Sequence, residues 1–417
     1  MTRPRRQRLH PSVEGLDARW LLSASGRTPA QIETAYGLGG LTFGGQAANG
    51  SGQTIAIVDA FNDPNIQTEL AVFDSTNNLP APPSLRVVSQ TGNTALPTVD
   101  AGWAQEEALD VEWAHALAPG ASIVVVEAYS GTIPDLMAGV RTAAGIAGVS
   151  VVTMSWSGSE NLYASPYYDG LFATPGITFV AASGDNGFSG GVQYPASSPN
   201  VLAVGGTTLQ VDSSGNYLGE TPWSGTSGGS SSIEPEPSYQ LSVQSTGARS
   251  TPDVAFDGNP DTGVEVYSMN PYSGQGSWMT IAGTSLAAQA WGALIAIVDQ
   301  GRALDNQGTL GSDQTLTALY SLPTSDFHSV SGGFNQQTGL GTPNGAGFID
   351  DLVAFSPNSG QSDSVAGTPV PATPPVTSHT KGHHKKVVHH RVVINPKAHP
   401  HPMGKTAAKH KSSPFVP

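Results

Sequence analysis

The sequence predicts an α/β protein whose central, mainly parallel β-sheet is covered by helices on both faces, a three-layer α/β/α arrangement. Two observations carry this. Short apolar runs rich in β-branched residues recur along the middle of the chain, and helical patterns fall between several of them. Continuous apolar strands separated by helices belong to sheets buried on both sides. The predicted strands are residues 53–60, 85–90, 122–129, 149–156, 177–185 and 201–208, with helices over 102–117 and 132–147. In such sheets ligands gather at the carboxyl ends of the strands, where Asp59, Trp156 and Asp185 stand.

Four segments follow one another. Residues 1–27 hold six arginines and only two carboxylates, then a brief apolar stretch, "ARWLLSA". That stretch is too short for an ordinary signal-peptide core. It resembles a short motif found on some exported bacterial proteins, so an extracellular or cell-surface location is expected. Residues 28–355 read as the globular body. Within it, Gly and Ser dominate 213–232, which predicts an irregular surface excursion. Residues 356–378 form a Pro/Ser/Thr linker, and 379–417 a His/Lys-rich tail expected to be disordered. The tail's paired histidines could hold Zn, Ni or Cu weakly. A plain cationic tail that adheres to cell wall or another anionic polymer accounts for it more simply.

Charge divides the chain in the same way. The overall net charge is -14, yet residues 28–355 carry 29 carboxylates against four arginines and no lysine. This excess repels nucleic acid at neutral pH. Near pH 4 many of these groups would be protonated, so the composition points to work in acid, with simple solubility as the bland alternative. No run of about 18 apolar residues exists to span a membrane, and the absence of cysteine excludes disulfides and thiolate metal sites. The chain is expected to act as a monomer.

"TIAGTSLAAQAW" (280–291) places Ser285 at the mouth of an alanine-rich helix. Such a residue either caps the helix or acts as a nucleophile, and a nucleophile needs a base and an oxyanion partner. Away from the two ends the only histidines are His115 and His328. A triad of Asp59, His115 and Ser285 is conceivable, but "VEWAHALAPGA" lacks a glycine-rich setting. In "WAQEEALDVEWAHAL", Glu106 and Asp110 lie four residues apart and share one helix face, with His115 opposite. Two carboxylates so close cannot both ionise easily, which makes a base suited to acid. Glu107 is also near that face, so spacing does not choose between the two glutamates. An exposed acidic stripe is the alternative. Asp185, in "AASGDNG" after an apolar strand, is either a turn residue or an acid that donates to an oxyanion.

Taken together these segments resemble the sedolisin family, serine-carboxyl peptidases with a subtilisin-like fold. The resemblance runs from about Thr28 to Phe355 through "GQTIAIVDAFNDPN", "EEALDVEWAHALAPGASI", "SWSGS", "ASGDNG", "YPASSPNVLAVGGTTL", "TPDVAFDGNPDTGV" and "GTSLAAQAW". It implies an acid-active endopeptidase acting on protein or peptide substrates. Ser285 would attack, Glu106 accept its proton, Asp110 position Glu106, and Asp185 support the oxyanion. Ser155, Trp156, Ser157 and Gly158 would pair with the substrate backbone. Asp59 and Trp156 match positions that extend the proton network in some members. A fold kept for binding, with catalysis retired, is the other reading.

Departures from the family pattern carry expectations too. The family's large propeptide has no counterpart before residue 28. Its calcium site is degenerate: Ser329 and Asn335 stand where aspartates are usual, around Val330. Calcium favours several oxygens including carboxylates, so weak or lost binding is expected unless Asp326, Asp350 or Asp351 compensates. Gln289 replaces the usual proline four residues after the serine, which reads as a mild change to the helix start.

Overall fold

The computed structural model describes residues 26–160 and 165–356. Most of the basic N-terminal segment, the linker and the His/Lys-rich tail lie outside the described residues.

Eight strands form the main sheet: β1 (Thr54–Ala60), β2 (Leu85–Ser89), β3 (Ser122–Ala128), β4 (Val149–Met154), β5 (Thr178–Ala182), β6 (Leu202–Val211), β7 (Tyr217–Pro222) and β8 (Val254–Asp257). Their order is β7-β6-β5-β4-β1-β3-β2, with β8 also on β6. Every pairing is parallel except β6 with β7. β1 and β3 run in register from Thr54 against Ser122 to Ala60 against Ala128, which sets Asp59 beside Glu127.

The helices that matter are α1 (Pro29–Tyr36), α2 (Ile66–Asn77), α3 (Ala101–Leu117), α4 (Ile133–Ala144) and α5 (Thr284–Leu304). Side chains alternate across a strand, and the core divides accordingly. Ile55 and Ile57 of β1 pack with Phe73, Leu109, Trp113, Trp291 and Leu294 of α2, α3 and α5. Ala56 and Val58 pack with Leu136, Met137 and Val140 of α4 on the other face. Asp59 follows Ile55 and Ile57 in the alternation, so it belongs to the face that carries α3 and α5.

Two local features bring α3 and α5 together. Asp100 caps α3 by accepting the N–H groups of Gly102 and Trp103 at 3.0 and 3.2 Å, which satisfies donors that a helix start leaves unpaired. In α5, Gly292 lies so close to β4 that a Cβ there would meet Thr153 Cγ2 at 2.4 Å. Its glycine therefore seats the helix on the sheet despite the propensity cost.

The structure corrects the expectation for 213–232. That Gly/Ser-rich stretch contains β7 and runs into a further strand, Gly229–Pro235, paired with Ala248–Thr251. Backbone pairing needs no bulky side chains, so composition hid it. The folded body also starts earlier than Thr28, because Arg27 bridges Val264 and its guanidinium donates to the Thr262 and Leu209 carbonyls.

Candidate active site

α3 and α5 lie side by side with matched helical steps. Glu106 stands against Ser285, whose hydroxyl favours its ionised form, and four residues further along each helix Asp110 accepts a 2.6 Å bond from Gln289. Residues four apart share a helix face, so one contact line carries both pairs. The carboxylates of α3 are buried, Glu106 at 2 % exposure and Asp110 at 0 %, which rules out the exposed acidic stripe. Packing also settles the choice that spacing left open. Glu107 turns instead toward a second buried set made of Glu127, Asp59, Asp63 and Glu69.

Asp185 follows β5 and meets the start of α5. Its Oδ1 accepts both the Thr284 N–H at 2.9 Å and the Thr284 hydroxyl at 2.7 Å. The Thr284 Oγ1 in turn accepts the Gly184 N–H at 3.1 Å. Gly283, with φ 130°, makes the approach possible, since a Cβ there would lie 2.7 Å from Asp185 Oδ2. Asp185 is thus locked to the helix turn that presents Ser285, whose backbone N–H has no partner inside the helix at that position.

Burial dominates the electrostatics. Glu106 is pushed up to about 8, first by desolvation and then by the nearby Asp59 and Asp185, with the Ser285 bond opposing. Asp59 rises to about 7, again through desolvation. Asp110 is raised well above its usual range by burial and by its neighbours Asp59 and Glu106, against the hydrogen bonds from Ser155 and Gln289. Keeping an ion buried costs several kcal/mol, whereas one hydrogen bond returns about 1–3. In acid the group therefore retains protons and shares little charge, like the paired carboxylates of acid-active sites.

The structure brings together Asp59, Glu106, Asp110, Asp185 and Ser285. Two expectations need correction, those for Trp156 and Gln289. The Trp156 indole does not serve Asp59, because it donates to the Val58 carbonyl at 2.9 Å; both Asp59 oxygens lack a hydrogen-bond partner. Ser155 turns its hydroxyl inward to Gln289 at 3.0 Å and toward Asp110, while the pairing expected of it with a substrate concerns its backbone. Gln289 is no mild change at the helix start but part of the carboxylate cluster. Ser157 is buried, and Gly158 pairs with Tyr194 in a short antiparallel bridge. His115 lies on the opposite side of α3, within 2.7 Å of the Pro80 carbonyl and 3.3 Å of Asp74, which removes the imidazole triad. His328 stacks on Tyr217 with ring centroids 3.7 Å apart.

The expected calcium loop is organised by an amide. Asn335 Nδ2 donates to the Val330 and Gly333 carbonyls at 3.0 and 3.1 Å, while its Oδ1 accepts the N–H groups of Gln337 and Thr338. Carbonyls that a cation would draw inward are thus already held by an N–H donor. Asp326 accepts from the Ser325 hydroxyl and stands near Asp351, and Asp350 lines a groove with Thr42, Phe43 and Asp305. Among the described residues no cluster of three or more His, Asp or Glu could hold a metal ion. The residues present do not fit calcium. Thermal unfolding is expected to be unmoved by calcium or a chelator, since a ligand raises stability only by binding the folded state. A melting temperature that climbs with calcium concentration would refute this.

Comparison with known proteins places this geometry. A model of the Subtilase family matches residues 98–321, just over half of the chain. The chain is 33 % identical over 378 residues to kumamolisin of Bacillus sp. (strain MN-32), covering 78 % of this chain and 63 % of that protein. It is 35 % identical over 217 residues to sedolisin of Pseudomonas sp. (strain 101), covering 44 % of this chain and 35 % of that one. A solved structure of Pseudomonas sedolisin, described as a serine-carboxyl proteinase in complex with two molecules of pseudo-iodotyrostatin, superposes with a TM-score of 0.67 at 27 % identity, covering 79 % of this chain and 98 % of the other. The chain spans less than two thirds of the length of the two curated relatives.

Proposed function

Since the chain belongs to the subtilase family and, within it, to the sedolisin-type serine-carboxyl peptidases, we propose that it is an acid-active endopeptidase working through an acyl-enzyme on Ser285. The single observation that carries this is the seating of the buried Glu106 carboxylate against Ser285, beside Asp110 and Asp185. With one negative charge in the cluster, Glu106 takes the Ser285 proton as Oγ attacks the peptide carbonyl. The oxyanion forms against the Ser285 N–H and protonated Asp185. Because Oδ1 of Asp185 takes both Thr284 donors, its acid proton sits on Oδ2. Glu106 then gives the proton to the leaving amine, and water repeats the sequence to release the acid.

The cluster sets the pH range. Fully protonated it has no base, and doubly ionised it places two like charges in a buried space. Activity should therefore rise with the first ionisation and fall with the second. Digestion of a denatured protein substrate from about pH 2 to about pH 8, with Ser285→Ala as the blank, tests this. A bell on the acid side of neutrality, with burst release of the first product, is expected: the coupled set gives up one proton first, below the values of about 7 and about 8 at which Asp59 and Glu106 follow. Inactivity across the range would leave a binding protein that keeps the fold, and activity peaking above neutrality would remove the carboxylate mechanism.

A further inference from the structure

We propose that Gln289 is a positioning residue that orients Asp110 and biases it toward its ionised form, so that Asp110 can take the proton of Glu106 as Glu106 takes that of Ser285; the inference rests on the peptidase reading above. Gln289 is fully buried, one helical turn after Ser285. Its Nε2 spends both protons on the cluster, one on Asp110 Oδ2 at 2.6 Å and one on Ser155 Oγ at 3.0 Å. The Ser155 hydroxyl in turn lies against Asp110 and favours its ionised form. Amide, hydroxyl and carboxylate thus form one cluster in which the Gln289 amide bridges Asp110 and Ser155.

Packing alone does not explain an amide here. The Oε1 of Gln289 has no hydrogen-bond partner, and a buried, unpaired carbonyl is costly where an apolar side chain of the same shape would avoid the penalty. What the amide supplies that no apolar residue can is an N–H directed at Asp110. Donors to a carboxylate favour its charged form. They also assign its two oxygens. Oδ2 is occupied, while Oδ1 of Asp110 and Oε1 of Glu106 both lack partners. Oδ1 is therefore the oxygen left to take a proton passing between the two acids. The charged and titratable groups that face Asp110 are Glu106 on its own helix and Asp59 from β1, both raising its proton affinity. From α5 and the residue after β4 come only the uncharged Gln289 and Ser155, and these oppose that rise.

The matched helical steps give the arrangement its logic. The same four-residue advance that carries Glu106 to Asp110 carries Ser285 to Gln289, so nucleophile and amide are fixed by one rigid helix. A shift of α5 that loosened the Glu106–Ser285 contact would loosen the Asp110–Gln289 contact as well.

The test compares kcat and KM against pH, on one peptide substrate, for the wild type, Gln289→Met and Gln289→Glu, with a thermal melt of each in acid. Methionine keeps the length and removes both the donors and the unpaired carbonyl. Its variant is expected to melt no lower than the wild type, to keep KM within about twofold, and to lose about tenfold or more in kcat. The acidic limb of its kcat profile should move to higher pH, because Asp110 then ionises less readily. In Gln289→Glu the protonated carboxyl can donate once, so activity should return in part at the acid end and vanish earlier as pH rises. An active wild type whose kcat profile is reproduced by Gln289→Met overturns the inference and leaves the catalytic reading standing. Should the methionine variant not fold, an unchanged profile in Gln289→Glu overturns it equally. A wild type inactive in acid overturns both readings together.

Discussion

Glu106→Gln is expected to lower kcat in acid by about a hundredfold to ten-thousandfold, the range that positioned proton transfer supplies, with little change in KM. Glutamine is nearly the same shape as glutamate, and its carbonyl can still accept from Ser285. What it lacks is a place for the serine proton, so binding survives while chemistry does not. Glu107→Gln is the matched control. Glu107 is buried one position away but faces Glu127, Asp59, Asp63 and Glu69 rather than Ser285. Its substitution should leave kcat near the wild-type value. Circular dichroism and melts would confirm that both variants fold. If Glu106→Gln keeps its rate, or if Glu107→Gln is the one that loses it, the base has been placed on the wrong residue.

Stability is expected to fall continuously as pH rises from about 4 to about 8. Carboxylates in the unfolded chain ionise near 4, whereas burial pushes Asp59, Asp257 and Asp299 up to about 7 and Glu106 up to about 8. Asp110 and Glu107 are raised in the same direction by the same cause. Between the two values the folded protein holds protons that the unfolded chain has released. The unfolded state then binds fewer protons, and each one retained lowers the unfolding free energy by about 1.4 kcal/mol per pH unit. The stabilising contribution is complete below the unfolded value and is lost as pH climbs through the folded one. Melts of Ser285→Ala, chosen so that self-digestion does not intrude, should therefore show the highest melting temperature in acid and a steep decline toward neutrality. A melting temperature that is flat or rising across this interval would show that these carboxylates are ionised in the native state.

Both effects arise from a pattern that charge counting shows only in outline. The excess of 29 carboxylates over four arginines in residues 28–355 pointed to acid, but charge alone was equally compatible with a soluble, solvated surface. The structure shows that many of these acids are inside. Asp59, Glu106, Asp110, Glu107, Glu127 and Glu69 are almost wholly inaccessible to solvent, and they come from β1, β3, α2 and α3. The excess of acidic residues thus belongs to the core as well as the exterior.

The amino-acid sequence by itself determined the layered α/β architecture, because unbroken β-branched runs leave no polar face to turn toward water, and six strands follow from that rule alone. It also marked Ser285, Glu106, Asp110 and Asp185 as residue types able to do acid hydrolysis. Tertiary structure decided the rest. A helical step of 100° leaves Glu106 and Glu107 on nearly the same face, and only the seating of α5 against α3 gives Ser285 to the first. The roles of Gln289, Ser155 and Asn335 depend on partners 134 or 179 positions away or on the closure of a loop. Trp156 was spent on a backbone carbonyl that local pattern could not show. Periodicity records which side of an element is buried, whereas the identity of the atom across the contact is fixed only when the elements pack.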